Sequence, residues 1–182
     1  MTPELSKCKK QSVKFFHNTI KYLDNKDFVD EFNETPFRYF VTVPLRNQFL
    51  SYDQLSSKLH SLIVMLNRKI FTRKELRNNL ALKVLPVIQK DNHYHLLIDS
   101  PDCKRLNEVD DSFEFIKNNL FKIIKKMYLC DLRLLFKRNI NAKLKSFQKI
   151  ETSNDKFHII NYVTRDDKLL TNIDYTNINL AT

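Results

Sequence analysis

KVLPVIQKDNHYHLLIDS, residues 83–100, consists of two apolar runs of strand length joined by Lys90-Asp-Asn92. Short runs rich in Val, Ile and Leu and bounded by polar residues are typical of β-strands. Asp and Asn in a short connection favour a hairpin turn, because they tolerate backbone conformations that other side chains resist. This stretch therefore predicts an antiparallel hairpin with strands at 83–89 and 93–100.

Both helices and a strand are predicted before the hairpin. Residues 5–24 have a rough apolar stripe that predicts a helix. Alternating side chains predict a strand over 37–45, ended by Pro44. Leucines at helical spacing predict a helix over 53–70, and the capping box from Thr72 to Glu75 predicts a short helix after it.

Elements of both kinds also follow the hairpin. A capping pattern at Asp111-Ser-Phe-Glu114 begins a helix, and 128–137 is compatible with either helix or strand. Residues 142–150 alternate as a strand with one basic face, and Ser153 or Asn154 caps a last helix over 155–167.

The order of these elements predicts an α+β fold, with a central antiparallel sheet of about five strands and flanking helices. We expect residues 1–36 to form an N-terminal helical extension, 37–168 the main domain, and 169–182 an irregular tail.

Composition excludes several functions and favours others. The 182 residues include no glycine, so a Gly-rich phosphate loop and a dinucleotide-binding fingerprint are both absent. The net charge of +10 favours a polyanionic partner, either nucleic acid or an anionic membrane. Residues 117–149 hold ten lysines and arginines against one acidic residue, which favours nucleic acid over a merely solvated surface.

The cysteines and apolar runs bear on the cellular compartment. Three cysteines without metal-ligand spacing predict reduced thiols. No apolar run reaches the length of a membrane span, and no signal-peptide pattern follows the N-terminal lysines. We therefore expect a cytoplasmic protein without a membrane partner.

His93 and His95 are two residues apart on a predicted strand, so their side chains point to the same face. Two adjacent imidazoles can bind one divalent metal, although two surface histidines are the simpler interpretation. Gln89 lies across the turn, and its carbonyl oxygen completes a three-ligand site. Such a site leaves positions open for Mg²⁺ or Mn²⁺ with water and a substrate phosphate.

Tyr162 lies on the last predicted helix in a polar stripe with His158 and Arg165, next to an apolar stripe of Phe157, Ile160 and Val163. A half-buried structural tyrosine is one interpretation. A nucleophile is the other, since a neighbouring cation and a metal-polarised phosphate would supply the activation that a phenol needs.

Three segments together resemble the motifs of the HUH family of single-tyrosine endonucleases, the rolling-circle replication initiators (Rep proteins) of plasmids and single-stranded DNA phages. These segments are Phe40-Val-Thr-Val-Pro44, His93-Tyr-His-Leu-Leu-Ile98 and Tyr162-Val-Thr-Arg165. The resemblance covers about residues 37–168. It implies a sheet carrying the histidine pair, a divalent metal, and a tyrosine that cuts single-stranded or origin DNA and leaves a 5′-phosphotyrosine and a free 3′-hydroxyl.

The resemblance also implies roles for individual residues. The metal ligands are His93, His95 and Gln89, the nucleophile is Tyr162, and Arg165 stabilises phosphate charge. A host replication helicase is a further implied partner. The chain departs from the family at Gln89, where the family often has Glu, and at Arg165, where it usually has Lys.

The basic window supplies candidates for contacts with the DNA backbone. They are Lys125, Lys126, Lys143, Lys145 and Lys149. Phe147 is either a stacking platform for a base or a packing residue. Two other functions stay open, a related single-tyrosine transposase and a non-catalytic basic nucleic-acid-binding domain, and so does the oligomeric state.

Overall fold

The computed structural model describes residues 37–45, 50–89, 93–127, 129, 146–164 and 174. The strands are β1 (Phe37–Pro44), β2 (Val84–Gln89), β3 (His93–Asp99) and β4 (Phe147–Lys149). The helices are α1 (Tyr52–Ile70), α2 (Arg73–Arg77), α3 (Lys104–Asn107), α4 (Ser112–Lys126) and α5 (Ser153–Thr164). The four strands form one antiparallel sheet in the order β2-β3-β1-β4, which confirms the α+β class.

The predicted hairpin forms at one side of this sheet. β2 pairs with β3 from Val84 opposite Ile98 to Gln89 opposite His93. The connection at 90–92 lies outside the described residues. Pro86 is tolerated within β2 because, among the described strands, β2 lies at an edge of the sheet, where a missing amide hydrogen breaks no bond to a neighbouring strand.

One face of the sheet holds the main hydrophobic core. Alternate residues of β1 and β3, among them Val41, Val43 and Leu96, are buried against α1 and α4. Both helices turn an apolar stripe to the sheet. The stripe residues are Leu55, Leu59, Leu62 and Leu66 in α1, and Ile116, Leu120, Ile123 and Ile124 in α4.

Side-chain caps define where the helices begin. The predicted capping box of Thr72 and Glu75 is present at α2, and Asp111 caps α4 by accepting from the amides of Phe113 and Glu114. A second capping box, of Ser51 and Gln54, begins α1 and was not predicted.

The last helix begins two residues earlier than expected, at Ser153 instead of residue 155. The Thr152 hydroxyl accepts from the Asp155 amide at 3.1 Å, and the Asp155 carboxylate accepts from the Thr152 amide at 2.9 Å. The cap is therefore Thr152, and the prediction of Ser153 or Asn154 was wrong. Ser153 is instead the first helical residue.

The apolar stripe of α5 also differs from the expected one. Ile159 and Val163 are buried, whereas Phe157 is 55% exposed. Spacing alone could not choose between two neighbouring stripes in a helix with apolar residues on both. The choice matters because the buried pair turns Tyr162 towards the sheet.

Several predictions fall on other parts of the chain. The extension 1–36, residues 130–145 and most of the tail lie outside the described residues. The described residues show four strands rather than about five, and β4 is three residues long instead of the expected 142–150. In the tail, Asp174 is buried, and its amide donates to the carbonyl of Pro86 at 2.9 Å.

Candidate functional site

His95 lies in the middle of the sheet face opposite the main core. It is on β3, between Val87 on β2 and Thr42 on β1, and only 1% of its surface is exposed. Its Nε2 atom lies 2.7 Å from Oε1 of Gln89, and its Nδ1 atom lies 3.0 Å from Oγ1 of Thr42. Both ring nitrogens therefore have a hydrogen-bond partner, one on each neighbouring strand.

His93 lies beside His95 at the hairpin end of β3. The two rings are nearly parallel, with an angle of 6° between their planes and 6.4 Å between their centroids. His93 pairs with Gln89 across the hairpin, so the amide side chain of Gln89 lies next to both imidazoles. The side chains of His93 and Gln89 are partly exposed to solvent, whereas that of His95 is buried.

Tyr162 reaches the same face from α5. Its ring stands edge-on to His95, with centroids 5.4 Å apart and an interplanar angle of 81°. Its ring also stands edge-on to Phe40, at 6.5 Å and 84°. Ile159 and Val163 are buried one turn before and one residue after it, so α5 presents this side of the helix to the sheet.

The ring of Phe40 packs against both His95 and Tyr162. Its ring is stacked on His95, with centroids 5.5 Å apart and an interplanar angle of 15°. Phe40 is fully buried and its ring contacts both His95 and Tyr162. This contact was not predicted as part of the site, although the residue lies in the quoted segment 40–44.

The environment keeps His95 neutral. Burial, and to a smaller extent the neighbouring His93, lowers the pKa of His95 to about 4. A neutral imidazole is the form that binds a metal through a ring nitrogen. At neutral pH His95 is therefore in the charge state that metal binding would require.

The donor set fits a divalent cation. Two imidazoles and an amide oxygen are suitable donors for Mn²⁺, and they leave positions open for other ligands. The described residues contain no group of three or more His, Cys, Asp and Glu side chains that could hold a metal. The third donor here is an amide, so a site at this position depends on Gln89.

The structure thus brings together four of the predicted site residues, Gln89, His93, His95 and Tyr162. Arg165 lies outside the described residues, as do Lys143 and Lys145. The prediction that the side chain of Tyr94 points to the opposite face is confirmed, because its hydroxyl donates to the carbonyl of Leu55 in α1 at 2.7 Å.

Phe147 and Lys149 lie on the opposite side of the sheet from His95. Phe147 pairs with Val41 and Lys149 with Tyr39, both of which belong to the main core face. The Lys149 ammonium lies 5.0 Å from the ring centroid of Phe113 in α4. Lys149 is therefore exposed on the predicted basic face of the strand, and this face points away from the histidines.

Phe147 is a packing residue. It is 7% exposed and contacts three aromatic rings, those of Tyr39, Phe113 and Phe121. The interpretation of Phe147 as a stacking platform was wrong, because a buried ring has no face left for a base. Alternation along the strand could not reveal this, since it does not say which face is covered by α4.

Lys125 and Lys126 are exposed at the C-terminal end of α4, with Lys122 one turn before Lys126. Because α4 covers the main core face, these lysines also lie on the side of the sheet away from His95. Lys117, nearer the start of the helix, is paired with Glu114 at 2.6 Å. The exposed positive charge of the described residues around α4 is thus separated by the sheet from the histidine and tyrosine cluster.

The chain matches no protein-family model, no curated protein and no solved structure. Within the part of the chain that the structure describes, no helix has the length and apolarity needed to cross a membrane.

Proposed function

We propose that this chain nicks and rejoins single-stranded DNA with Tyr162 as the nucleophile, as a rolling-circle replication initiator of the HUH type does. The observation that carries the proposal is the contact of one buried histidine, His95, with both Gln89 and Tyr162. Gln89 and His95 belong to one hairpin and Tyr162 to a helix remote from it in the chain, and His95 and Tyr162 lie in two of the segments that resemble the HUH motifs.

The proposed reaction is a transesterification. The Tyr162 hydroxyl oxygen attacks the scissile phosphorus, a new O–P bond forms, and the bond from phosphorus to the 3′-oxygen breaks. The leaving 3′-oxygen takes up a proton, and the tyrosine proton passes to solvent or to a neighbouring base. The number of phosphoester bonds is unchanged, so the reverse reaction can rejoin the strand.

His93, His95 and Gln89 are the residues that would hold Mg²⁺ or Mn²⁺. When bound, the cation supplies charge that polarises the scissile phosphate and orients it for in-line attack. The chain itself supplies position: Phe40 supports both aromatic rings, and the buried Ile159 and Val163 hold α5 against the sheet. Arg165 is proposed to stabilise the phosphate charge.

The lysines are proposed to hold DNA that flanks the cleaved nucleotide. Lys125, Lys126 and Lys149 lie on the other side of the sheet from Tyr162, so they do not contact the scissile phosphate. Lys143 and Lys145 belong to the same basic window of the sequence. A DNA partner longer than the few nucleotides at the site is therefore part of the proposal, with a host helicase acting on the opened strand in the cytoplasm.

A second candidate is a non-catalytic DNA-binding domain. The separation of the exposed lysines from the histidine cluster favours it, because binding by α4 needs no group on the other face. A single-tyrosine transposase shares the proposed chemistry and differs from an initiator in its usual dimeric state, which solution mass measures.

Covalent adduct formation tests the proposal. The parent protein is incubated with Mn²⁺ and single-stranded DNA from its own replicon, and the mixture is run on a denaturing gel. The expected result is a protein band that carries the 5′ end of the cut strand and disappears when chelator is added beforehand. DNA binding without any adduct on the correct origin sequence supports the binding-only candidate instead.

A further inference from the structure

The two hydrogen bonds of His95 impose a choice on its ring. A neutral imidazole has one hydrogen for two nitrogens, so one nitrogen donates and the other accepts. Nε2 faces the carbonyl oxygen of Gln89 at 2.7 Å, and Nδ1 faces the hydroxyl of Thr42 at 3.0 Å. A carbonyl oxygen can only accept, whereas a hydroxyl can donate or accept.

Without a cation, this geometry requires hydrogen on Nε2. Nε2–H then donates to Oε1 of Gln89, and the Thr42 hydroxyl donates to Nδ1. With a cation held by His95 through Nε2, that nitrogen must offer its lone pair, and the hydrogen must lie on Nδ1. The Thr42 hydroxyl then rotates and accepts from Nδ1–H, so the ring exchanges its tautomer without gaining or losing a proton overall.

We propose that Thr42 is a positioning residue that holds the cation-binding tautomer of His95, with Nδ1–H donating to its hydroxyl oxygen and Nε2 left free beside Oε1 of Gln89. This inference rests on the proposed metal role of His95 and Gln89. It adds a residue that touches neither cation nor DNA and acts only through the imidazole.

The fold makes Thr42 suited to this role. Thr42 and His95 are directly opposed in the pairing of β1 with β3, so the backbone ladder fixes the distance between their side chains. His95 is covered by Phe40 and Tyr162, which leaves little room for a water to replace the hydroxyl. Metal-binding histidines in proteins generally donate their other ring N–H to an oxygen acceptor that fixes the tautomer.

Two substitutions separate the hydroxyl from the shape of the side chain. Thr42→Val keeps the branched shape and removes the hydroxyl, and Thr42→Ser keeps the hydroxyl. Mn²⁺ affinity, measured by electron paramagnetic resonance on the full chain without DNA, should fall about 10- to 100-fold in Thr42→Val. In Thr42→Ser it should stay within about threefold of the parent. Thermal unfolding of the cation-free proteins serves to show that all three are folded.

Nitrogen-15 NMR of the histidine side chains reads the tautomer directly. With Zn²⁺ as a diamagnetic probe, the His95 signals of the parent, assigned by their absence in His95→Gln, should show hydrogen on Nδ1. Hydrogen on Nε2 in the loaded parent, or Mn²⁺ affinity in Thr42→Val equal to that of the parent, overturns the role of Thr42 while leaving the proposed function intact. A parent that binds neither Mn²⁺ nor Zn²⁺ overturns both.

Discussion

The ring of Tyr162 stands edge-on to the ring of His95, with 5.4 Å between the centroids, although 66 positions separate the two residues in the chain. Tyr162 comes from a helix and His95 from a central strand, and Phe40 contacts both. The proposed activity depends on this proximity of a tyrosine to a histidine of the proposed cation site.

Removing the hydroxyl of Tyr162 should separate binding from chemistry. Tyr162→Phe keeps the ring contacts with His95 and Phe40, so the fold and the affinity for single-stranded DNA should be unchanged. Without the nucleophilic oxygen, no covalent adduct should form on a denaturing gel.

Tyr94→Phe is the matched control, since it removes a hydroxyl from the opposite face of the sheet. It loses the hydrogen bond to the Leu55 carbonyl and should be less stable by about 1 kcal/mol, while its adduct yield should equal that of the parent. An adduct of normal yield from Tyr162→Phe, confirmed by peptide mapping, would assign the nucleophile to another residue.

Substitutions of His95 and of Gln89 should have different effects on cation binding. His95→Ala should abolish cleavage and leave DNA binding nearly intact, because the exposed lysines lie beyond the sheet. Gln89→Glu should bind Mn²⁺ at least as tightly as the parent, because it adds a negative charge next to the imidazoles. Calorimetric titration with Mn²⁺ measures both variants, and cleavage by chelator-treated His95→Ala at the parent rate rules out this site.

Acid titration should expose two buried groups whose effects on stability oppose each other. The pKa of His95 is lowered by burial to about 4, so between about pH 4 and 6.5 the unfolded chain holds a proton that the folded chain lacks, and stability rises with pH. Burial raises the pKa of Asp99 to about 6, so between about pH 4 and 6 the folded chain holds the extra proton, and stability falls with pH. Each effect amounts to about 3 kcal/mol, so in the parent they largely cancel.

Asp99→Asn should reveal the effect of His95 on the pH dependence of stability. The amide oxygen can still accept from the Lys83 amide, which donates to the carboxylate at 2.9 Å. Urea unfolding of this variant should give a free energy that rises by about 3 kcal/mol from pH 4 to 6.5, while the parent changes little. His95→Gln should show the reverse slope. A pH-independent stability in Asp99→Asn contradicts the buried, neutral state of His95.

The lysines at the end of α4 should control the salt dependence of DNA binding. Replacing both Lys125 and Lys126 with Gln should weaken binding of single-stranded DNA and reduce the slope of log affinity against log salt by about 1.4, since each phosphate contact releases about 0.7 counterion. Lys104→Gln is the control, because Lys104 is exposed on α3 and is paired with Glu108. Fluorescence anisotropy at several salt concentrations measures the slopes, and equal slopes in all three proteins would remove α4 from the DNA-binding surface.

Substitution of Phe147 and substitution of Phe157 should differ in their effect on the stability of the protein. Phe147→Ala removes a ring packed against three others and should cost about 3 to 5 kcal/mol of unfolding free energy. Phe157→Ala, at an exposed position of α5, should change it by less than about 0.5 kcal/mol. Chemical unfolding of both variants checks this, and similar small losses would mean that Phe147 is not part of the core.

Local sequence patterns were sufficient for much of the fold. The hairpin, β1 and the starts of α2 and α4 follow from alternation, turn residues and caps, all of which act within a few residues. The opposite orientations of Tyr94 and His95 follow from strand geometry alone.

Long-range packing explains what local patterns missed. Both faces of the strand at Phe147 looked plausible, because the covering helix α4 is remote in sequence. The same holds for α5, where the choice of buried stripe depends on the sheet and not on the helix. The role of Thr42 could not be inferred from spacing, since it arises from the register of β1 against β3.

Pro86 has a consequence for self-association. In a strand, the nitrogen and carbonyl oxygen of one residue point to the same side, and the Pro86 carbonyl points outward to the Asp174 amide. At this position the outer edge therefore offers an incoming strand neither an N–H donor nor an unoccupied carbonyl acceptor. Edge-to-edge polymerisation, the common hazard of open sheets, is blocked in the middle of β2 by one imino acid and one residue from the tail.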